Sequence, residues 1–104
     1  MTTKEFEQAL RLVTDKVFRM QAPNNEPEYV VWHGYGHNSL VGDDGVRVEL
    51  LKVQLDVIWQ DNDSDFLGRI KGVLSDFALP YFEAEYGYDD EWMAMRCILQ
   101  LELD

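Results

Sequence analysis

Two histidines have the four-residue spacing that metal ligands show on a helix. His33 and His37 flank the segment Gly34-Tyr35-Gly36, whose glycines do not favour a helix, and no glutamate follows His33 as it does in a zinc-protease motif. The same segment lacks the third glycine and the following helix of a phosphate-binding loop. We therefore expect ordinary histidines near the end of a strand, with no metal and no bound cofactor.

Three aspartates have the spacing that opens a calcium-binding loop. They are Asp61, Asp63 and Asp65. In such a loop the sixth position is glycine and the twelfth is glutamate, whereas this chain has Phe66 and Gly72 there. Acidic residues also stabilise the start of a helix, by capping it and by facing its positive end. The spacing is therefore better explained by the start of a helix than by a calcium site.

The remaining reactive groups suggest no catalytic site. Cys97 falls in the apolar register of the last strand, where a cysteine behaves as a small hydrophobic residue. Glu83 and Glu85 are expected on one face of a strand, where two carboxylates could share acid–base chemistry. A row of solvated or subunit-facing acids accounts for them better. We predict that the chain is not an enzyme.

The charge is strongly acidic and unevenly distributed. The net charge is −11 over 104 residues; residues 1–52 hold six basic and eight acidic side chains, and residues 53–104 hold three and twelve. Such a surface repels the phosphates of nucleic acids and of anionic membranes. Besides solubility, the charge suits either a basic partner or a surface that DNA must pass without adhering to it.

No part of the sequence suggests export or membrane insertion. The N-terminus has no basic stretch followed by an apolar one, and the apolar runs are far shorter than the ~18 residues of a spanning helix. One cysteine forms no intrachain disulfide, and the length is that of one domain, here 1–104. We therefore expect a single domain that folds in a cytoplasm.

Apolar periodicity predicts two helices, near residues 3–21 and 64–78. Thr2 and Glu5 have the spacing of a capping box at the start of the first. Its apolar side chains recur every three or four residues, from Phe6 to Met20. Phe66 to Phe77 gives the second helix a similar stripe, and Leu79-Pro80 ends it.

Strands are predicted between and after the helices. Residues 28–35 form a short strand with a bulge or bend at its glycines, and 46–60 form a long one with alternating apolar side chains. Residues 42–45, which include Asp43 and Asp44, mark a turn, either at a hairpin tip or in a loop. The last two strands contain 82–88 and 93–103, joined at Asp89-Asp90.

The predicted fold class is α+β, with an antiparallel or mixed sheet of four to five strands and two helices on one face. We expect the following side chains to be buried: Phe6, Val13, Val17, Val53, Leu55, Val57, Ile70, Phe77, Cys97 and Leu99. The opposite face carries apolar side chains that a face in water would not need. Candidate interface residues are Ile58, Trp92, Ala94 and Ile98 on this face, with Asp43 and Asp44 at the possible arm.

This order of elements resembles the tail terminator and tail-completion proteins of long-tailed bacteriophages and prophages. The likeness rests on an N-terminal helix, the aromatic strand Tyr29–Tyr35, the strand Lys52–Trp59, a second helix and a closing hairpin. It covers nearly the whole chain through pattern and order, without a diagnostic residue.

The resemblance implies a homohexameric ring that caps the tail tube and joins it to the head. It also implies contacts with tail-tube and head-completion proteins, a place in the virion neck after assembly in the bacterial cytoplasm, and no enzyme activity. The chain is short for the lambda-type members, so another neck position is open. The main alternative is an acidic inhibitor or DNA-mimic protein that binds a basic partner.

Overall fold

The computed structural model describes residues 1–21, 26–45 and 47–104. Two helices and five strands follow one another along the chain: α1 (Thr3–Leu10), β1 (Val17–Arg19), β2 (Glu28–Val41), β3 (Arg47–Trp59), α2 (Phe66–Asp76), β4 (Tyr81–Asp89) and β5 (Ala94–Leu103). The strands form a single sheet in the order β1-β2-β3-β5-β4. β1 pairs with β2 in parallel and the other pairs are antiparallel. The α+β class with a mixed sheet is confirmed.

The first helix is shorter than its apolar pattern predicts. The capping box forms, with the Thr2 hydroxyl accepting from Glu5 N–H and the Glu5 carboxylate accepting from Thr2 N–H. The helix nevertheless ends at Leu10, and the predicted continuation to residue 21 is wrong. Thr14 Oγ1 accepts from Lys16 N–H, a local bond that competes with helix, and Val17–Arg19 then pairs with Val30–Trp32.

β2 and β3 form a long hairpin that extends beyond the sheet. β5 stops at the pair Leu51↔Leu103, whereas β2 and β3 continue for four more pairs, from Asn38↔Leu50 to Val41↔Arg47. We call this extension, residues 38–50, the arm; Val46 lies outside the described residues. Its turn is closed by Gly45 N–H donating to Gly42 C=O, with Gly45 at φ +79°, where glycine is favoured. The arm lengthens the molecule to 50 × 25 × 20 Å.

A bulge interrupts β2 at Tyr35. Gly34 pairs with Val53 and Gly36 with Lys52, so Tyr35 is the extra residue. A Cβ on Gly34 would approach Leu51 Cδ1 to 2.9 Å, so a larger residue would require that side chain to move. The predicted bulge is confirmed, but β2 continues through it to Val41 instead of ending at Tyr35.

The core lies between the two helices and one face of the sheet, called here the helix face. Phe6, Leu55 and Ile70, from α1, β3 and α2, are fully buried in it. Of the ten side chains predicted to be buried, eight are; Val13 is partly buried and Phe77 is 44 % exposed. Phe77 caps the end of α2, where Ala78 adopts φ +55° and turns the chain away.

The opposite face of the sheet, called here the outer face, has an irregular edge at β4. Glu83 pairs with Leu99 and Glu85 with Ile98, so Ala84 forms a bulge. Because side chains alternate between faces along β5, Glu83 points to the helix face and Glu85 to the outer face. The prediction that they share a face is therefore wrong. Bulges and charged side chains are common on edge strands, where they discourage uncontrolled pairing.

Candidate subunit interface

The outer face contains a small apolar cluster of its own. Tyr29, Ile58 and Ala94 are buried there, and Phe18 and Val31 pack against them. Three of the candidate interface residues, Ile58, Ala94 and Ile98, are no more than 6 % exposed. They lie on the face that the sequence predicts, but their own chain already covers them.

Trp92 supplies part of that cover. Its indole lies 6.4 Å from the Tyr29 ring, with the planes tilted by 32°. The preceding turn is fixed by Asp89 Oδ1, which accepts from Glu91 N–H and Trp92 N–H. Trp92 remains 39 % exposed. It therefore holds the outer face together while presenting a partly free aromatic edge, which suits an interface anchor.

Polar side chains next to this cluster are tied together. Arg96 Nη2 donates to Asp56 Oδ2 at 2.8 Å, and Arg96 Nη1 lies 3.5 Å from Asp89 Oδ2. Gln54 Nε2 donates to the other Asp56 oxygen at 2.9 Å. Charge-assisted bonds of this kind fix side-chain geometry. The centre of the outer face is thus a satisfied network and leaves little for a ligand to bind.

The arm has one face with two exposed apolar side chains, Leu40 and Val48, and a more polar face with one, Val41. Leu40 and Val48 are cross-strand partners, so their side chains share a face with those of Asn38 and Leu50. Leu40 is 57 % exposed and Val48 45 %. This apolar face continues the outer face of the sheet. Val48, Leu50 and Lys52 are even-numbered residues of β3, whereas its core residues, such as Val53, are odd-numbered and point to the helix face.

The polar face of the arm is linked internally. Arg47 Nη2 donates to Ser39 Oγ at 3.0 Å, and Arg47 Nε lies 3.8 Å from Glu49 Oε1. Asp43 and Asp44 are exposed at the tip. The arm is therefore a formed, amphipathic hairpin whose acidic tip carries the two candidate residues predicted there.

An open groove lies at the base of the arm. It has a volume of about 460 Å³, and Leu50, Tyr81, Phe82 and Leu101 contribute its apolar lining. Phe82 lies on β4 and is exposed. Sequence reasoning places Phe82 on a strand but does not connect it with the arm, because the contact depends on the strand order β3-β5-β4.

The two edges of the sheet differ in charge, and this difference is not visible in the sequence alone. Residues 11–20, which lead into and form the edge strand β1, hold three basic side chains and one acidic; residues 81–93, which form the edge strand β4 and its turn, hold five acidic and none basic. Counting charge by half-chain conceals the contrast, because strand order decides which segments become edges.

The fold does not bring together the two histidines that have metal-ligand spacing. His33 pairs with Gln54 and His37 with Leu51, so the bulge at Tyr35 puts the two histidines on opposite faces. Across residues 1–21, 26–45 and 47–104, no three His, Cys, Asp or Glu side chains cluster as metal ligands do. None of the described helices is long and apolar enough to cross a membrane.

The calcium-like aspartates serve the chain locally. Asp61 Oδ1 accepts from Asp63 N–H, and Asp65 pairs with Arg69 at 2.9 Å. Asp65 occupies the N-cap position of α2 without a side-chain capping bond, and Phe66 N–H donates to Ser64 Oγ instead. The helix start is thus held by Ser64 and by a salt bridge within the first turn.

Cys97, on β5, is buried in the core on the helix face of the sheet. Burial, and then its hydrogen bond to Glu83, raise the pKa of the Cys97 thiol to about 12. Glu83 also accepts from Lys71 Nζ at 2.7 Å, and this bond lowers the pKa of the Glu83 carboxyl. A thiol in this state is a poor nucleophile at neutral pH.

Comparison with protein-family models, with curated proteins and with solved structures gives no match.

Proposed function

We propose that the chain is a structural subunit that assembles into a ring, as in the tail neck of a long-tailed bacteriophage, where it would join the tail tube to the head. The observation that carries the proposal is the arm. An isolated two-stranded hairpin is marginally stable in water, yet this one extends past the sheet with Leu40 and Val48 exposed on one face. Such a face gains most when a neighbouring subunit or tube protein covers it.

The charge distribution supports the same role. A net charge of −11 disfavours adhesion to DNA, as a passage for the viral genome requires. The proposed partners are other copies of this chain, tail-tube protein and head-completion protein, in the virion neck and, during assembly, in the bacterial cytoplasm. No enzymatic step, cofactor, specific nucleic-acid binding or membrane contact belongs to this role.

The test is assembly of arm variants, followed by mass photometry and negative-stain microscopy. Wild-type protein should form closed rings, probed alone and with tail-tube protein. Leu40→Asp with Val48→Asp should abolish them, because charges would replace the apolar face. The matched control, Ser39→Asp with Val41→Asp, places the same two charges on the other face of the arm and should leave rings intact. Rings that survive the first pair, or that vanish equally in both, would contradict this role for the arm.

One observation favours the alternative of an acidic inhibitor or DNA mimic. The β3–α2 loop, with Asp61 and Asp63, and the β4–β5 turn, with Asp90 and Glu91, emerge at the same end of the sheet, because Trp59, Asp89 and the start of β5 pair there. A monomer that binds a basic DNA-binding protein one to one, and loses this binding in Asp61→Asn with Asp63→Asn, would establish the alternative and exclude the ring.

A further inference from the structure

We infer that copies of this chain associate edge to edge, with the basic β1 edge of one copy against the acidic β4 edge of the next. The inference rests on the proposed ring-forming function and specifies the contact that would build the ring. The occupant of each edge is a second copy of this chain. Two different surfaces that meet in this way form a head-to-tail contact, which closes into a ring when the rotation between copies permits.

The basic edge presents two arginines without a carboxylate partner among the described residues, whereas its third cation, Lys16, pairs with Glu26 at 3.4 Å. Arg11 Nη1 donates to the backbone oxygen of Asp15 at 3.3 Å, and the Arg19 guanidinium lies 4.7 Å from the centre of the Trp32 ring. Within the described residues, neither arginine forms a salt bridge. Leu12 and Met20, beside them, are each more than 70 % exposed.

The acidic edge presents the opposite charges together with large apolar side chains. Glu85, Asp90 and Glu91 form no salt bridge in the part of the chain that the structure describes. Tyr88 and Met93 are exposed near them. Each edge thus combines apolar area with unpaired charge, and the signs are complementary.

The strand register places the two edges at the same level of the sheet. Cross-strand partners connect β1 to β4 in rows that run straight across the five strands. One such row is Phe18, Val31, Asp56, Ile98 and Glu85. A neighbour placed beside the sheet at this level would bring its β1 next to Glu85, and β4 would run antiparallel to it.

The contact is made by side chains and not by a continued sheet. β4 carries the bulge at Ala84 and a glutamate on each face, features that disfavour hydrogen bonding of a further strand. β1 is three residues long. Charge pairing and apolar contact therefore carry the association, which makes it sensitive to single charge reversals.

The test is charge reversal, read by sedimentation velocity at 0.15 M salt. Arg19→Glu and Glu85→Arg should each raise the dissociation constant between subunits by at least about tenfold, because like charges would face each other. An equimolar mixture of the two variants should assemble again, since each then offers the edge that the other needs. If Arg19→Glu disturbs the Trp32 contact and lowers the melting temperature, Arg11→Glu, whose partner is a backbone oxygen, replaces it.

Matched controls apply the same charge changes away from these edges. Lys4→Glu on α1 and Asp76→Arg on α2 should leave assembly unchanged. If wild type assembles but the edge variants behave as the controls do, or the mixture stays apart, the edge contact is wrong while the ring-forming function stands. If wild type stays monomeric at every concentration, alone and with tail-tube protein, both are overturned.

Discussion

Cys97 illustrates how burial determines the behaviour of a single residue. Its thiol packs among core side chains and donates to Glu83 Oε1 at 3.4 Å, and Lys71 Nζ donates to the same oxygen at 2.7 Å. Because the unfolded chain would ionise an ordinary thiol near pH 9 and the folded chain retains the proton to about pH 12, the fold favours the neutral form. The reactive-looking group is thus a structural one.

Alkaline pH should therefore destabilise the fold through Cys97. The thiol pKa is raised on folding, so its contribution is fully present below about pH 9 and is lost as pH rises towards 12. The expected slope is about 1.4 kcal/mol per pH unit in that window. Urea unfolding at pH 8.0 to 10.5 should show no extra loss in wild type below about pH 9 and, above it, a loss that approaches this slope relative to Cys97→Ala, the control that lacks the thiol. Parallel pH profiles would contradict the burial of the thiol.

Elements differ in how well the sequence predicts them. Strands with strict alternation, such as β3 with Val53, Leu55 and Val57, are found where the sequence predicts them, since one face is buried and the other is not. The helix predicted at residues 3–21 is too long because Val13 and Val17 continue the helical spacing of α1 by coincidence. Pairing of Val17–Arg19 with β2 overrides that local pattern, and such long-range pairing leaves no local signal.

The candidate interface likewise has parts that the sequence predicts and parts that depend on long-range contacts. The sequence correctly assigns Ile58, Ala94 and Ile98 to the outer face, but the monomer buries all three; Ile58 and Ala94 pack in a cluster with Tyr29, next to which Trp92 lies. The sequence does not decide whether the arm forms, because Gly42–Gly45 fits both a hairpin tip and a loop. The charge of each sheet edge cannot be predicted without the strand order, and that order depends on the position of β5 between β3 and β4.

The β2–β3 hairpin should respond to mutation differently along its length. Leu55→Ala, in the part covered by the helices, should lower the free energy of unfolding by ~2–5 kcal/mol because a fully buried side chain is removed. The same change at Leu40, on the exposed arm, should alter it by less than about 0.5 kcal/mol. Urea denaturation of the two variants measures both. Equal losses would show that the arm is packed within the monomer.

At the scale of the whole molecule, two electrostatic effects oppose each other. Each copy carries a net charge of −11, so copies repel at long range, whereas the two sheet edges attract at contact. Salt reduces the range of the repulsion from ~30 Å at 0.01 M to ~8 Å at 0.15 M, and at 1 M, where the range is ~3 Å, contact pairs are weakened as well. Association should therefore be strongest at intermediate salt.

Sedimentation velocity of wild-type protein between 0.01 and 1 M salt is the most direct test of the central claim that this chain is a ring-forming subunit. We expect a single closed oligomer near 0.15 M, with a mass that is a whole multiple of the 12.1 kDa chain and six copies in the hexamer that the resemblance implies. A larger monomer fraction is expected at both salt extremes. A monomer at every salt and protein concentration, with tail-tube protein present or absent, would contradict the account.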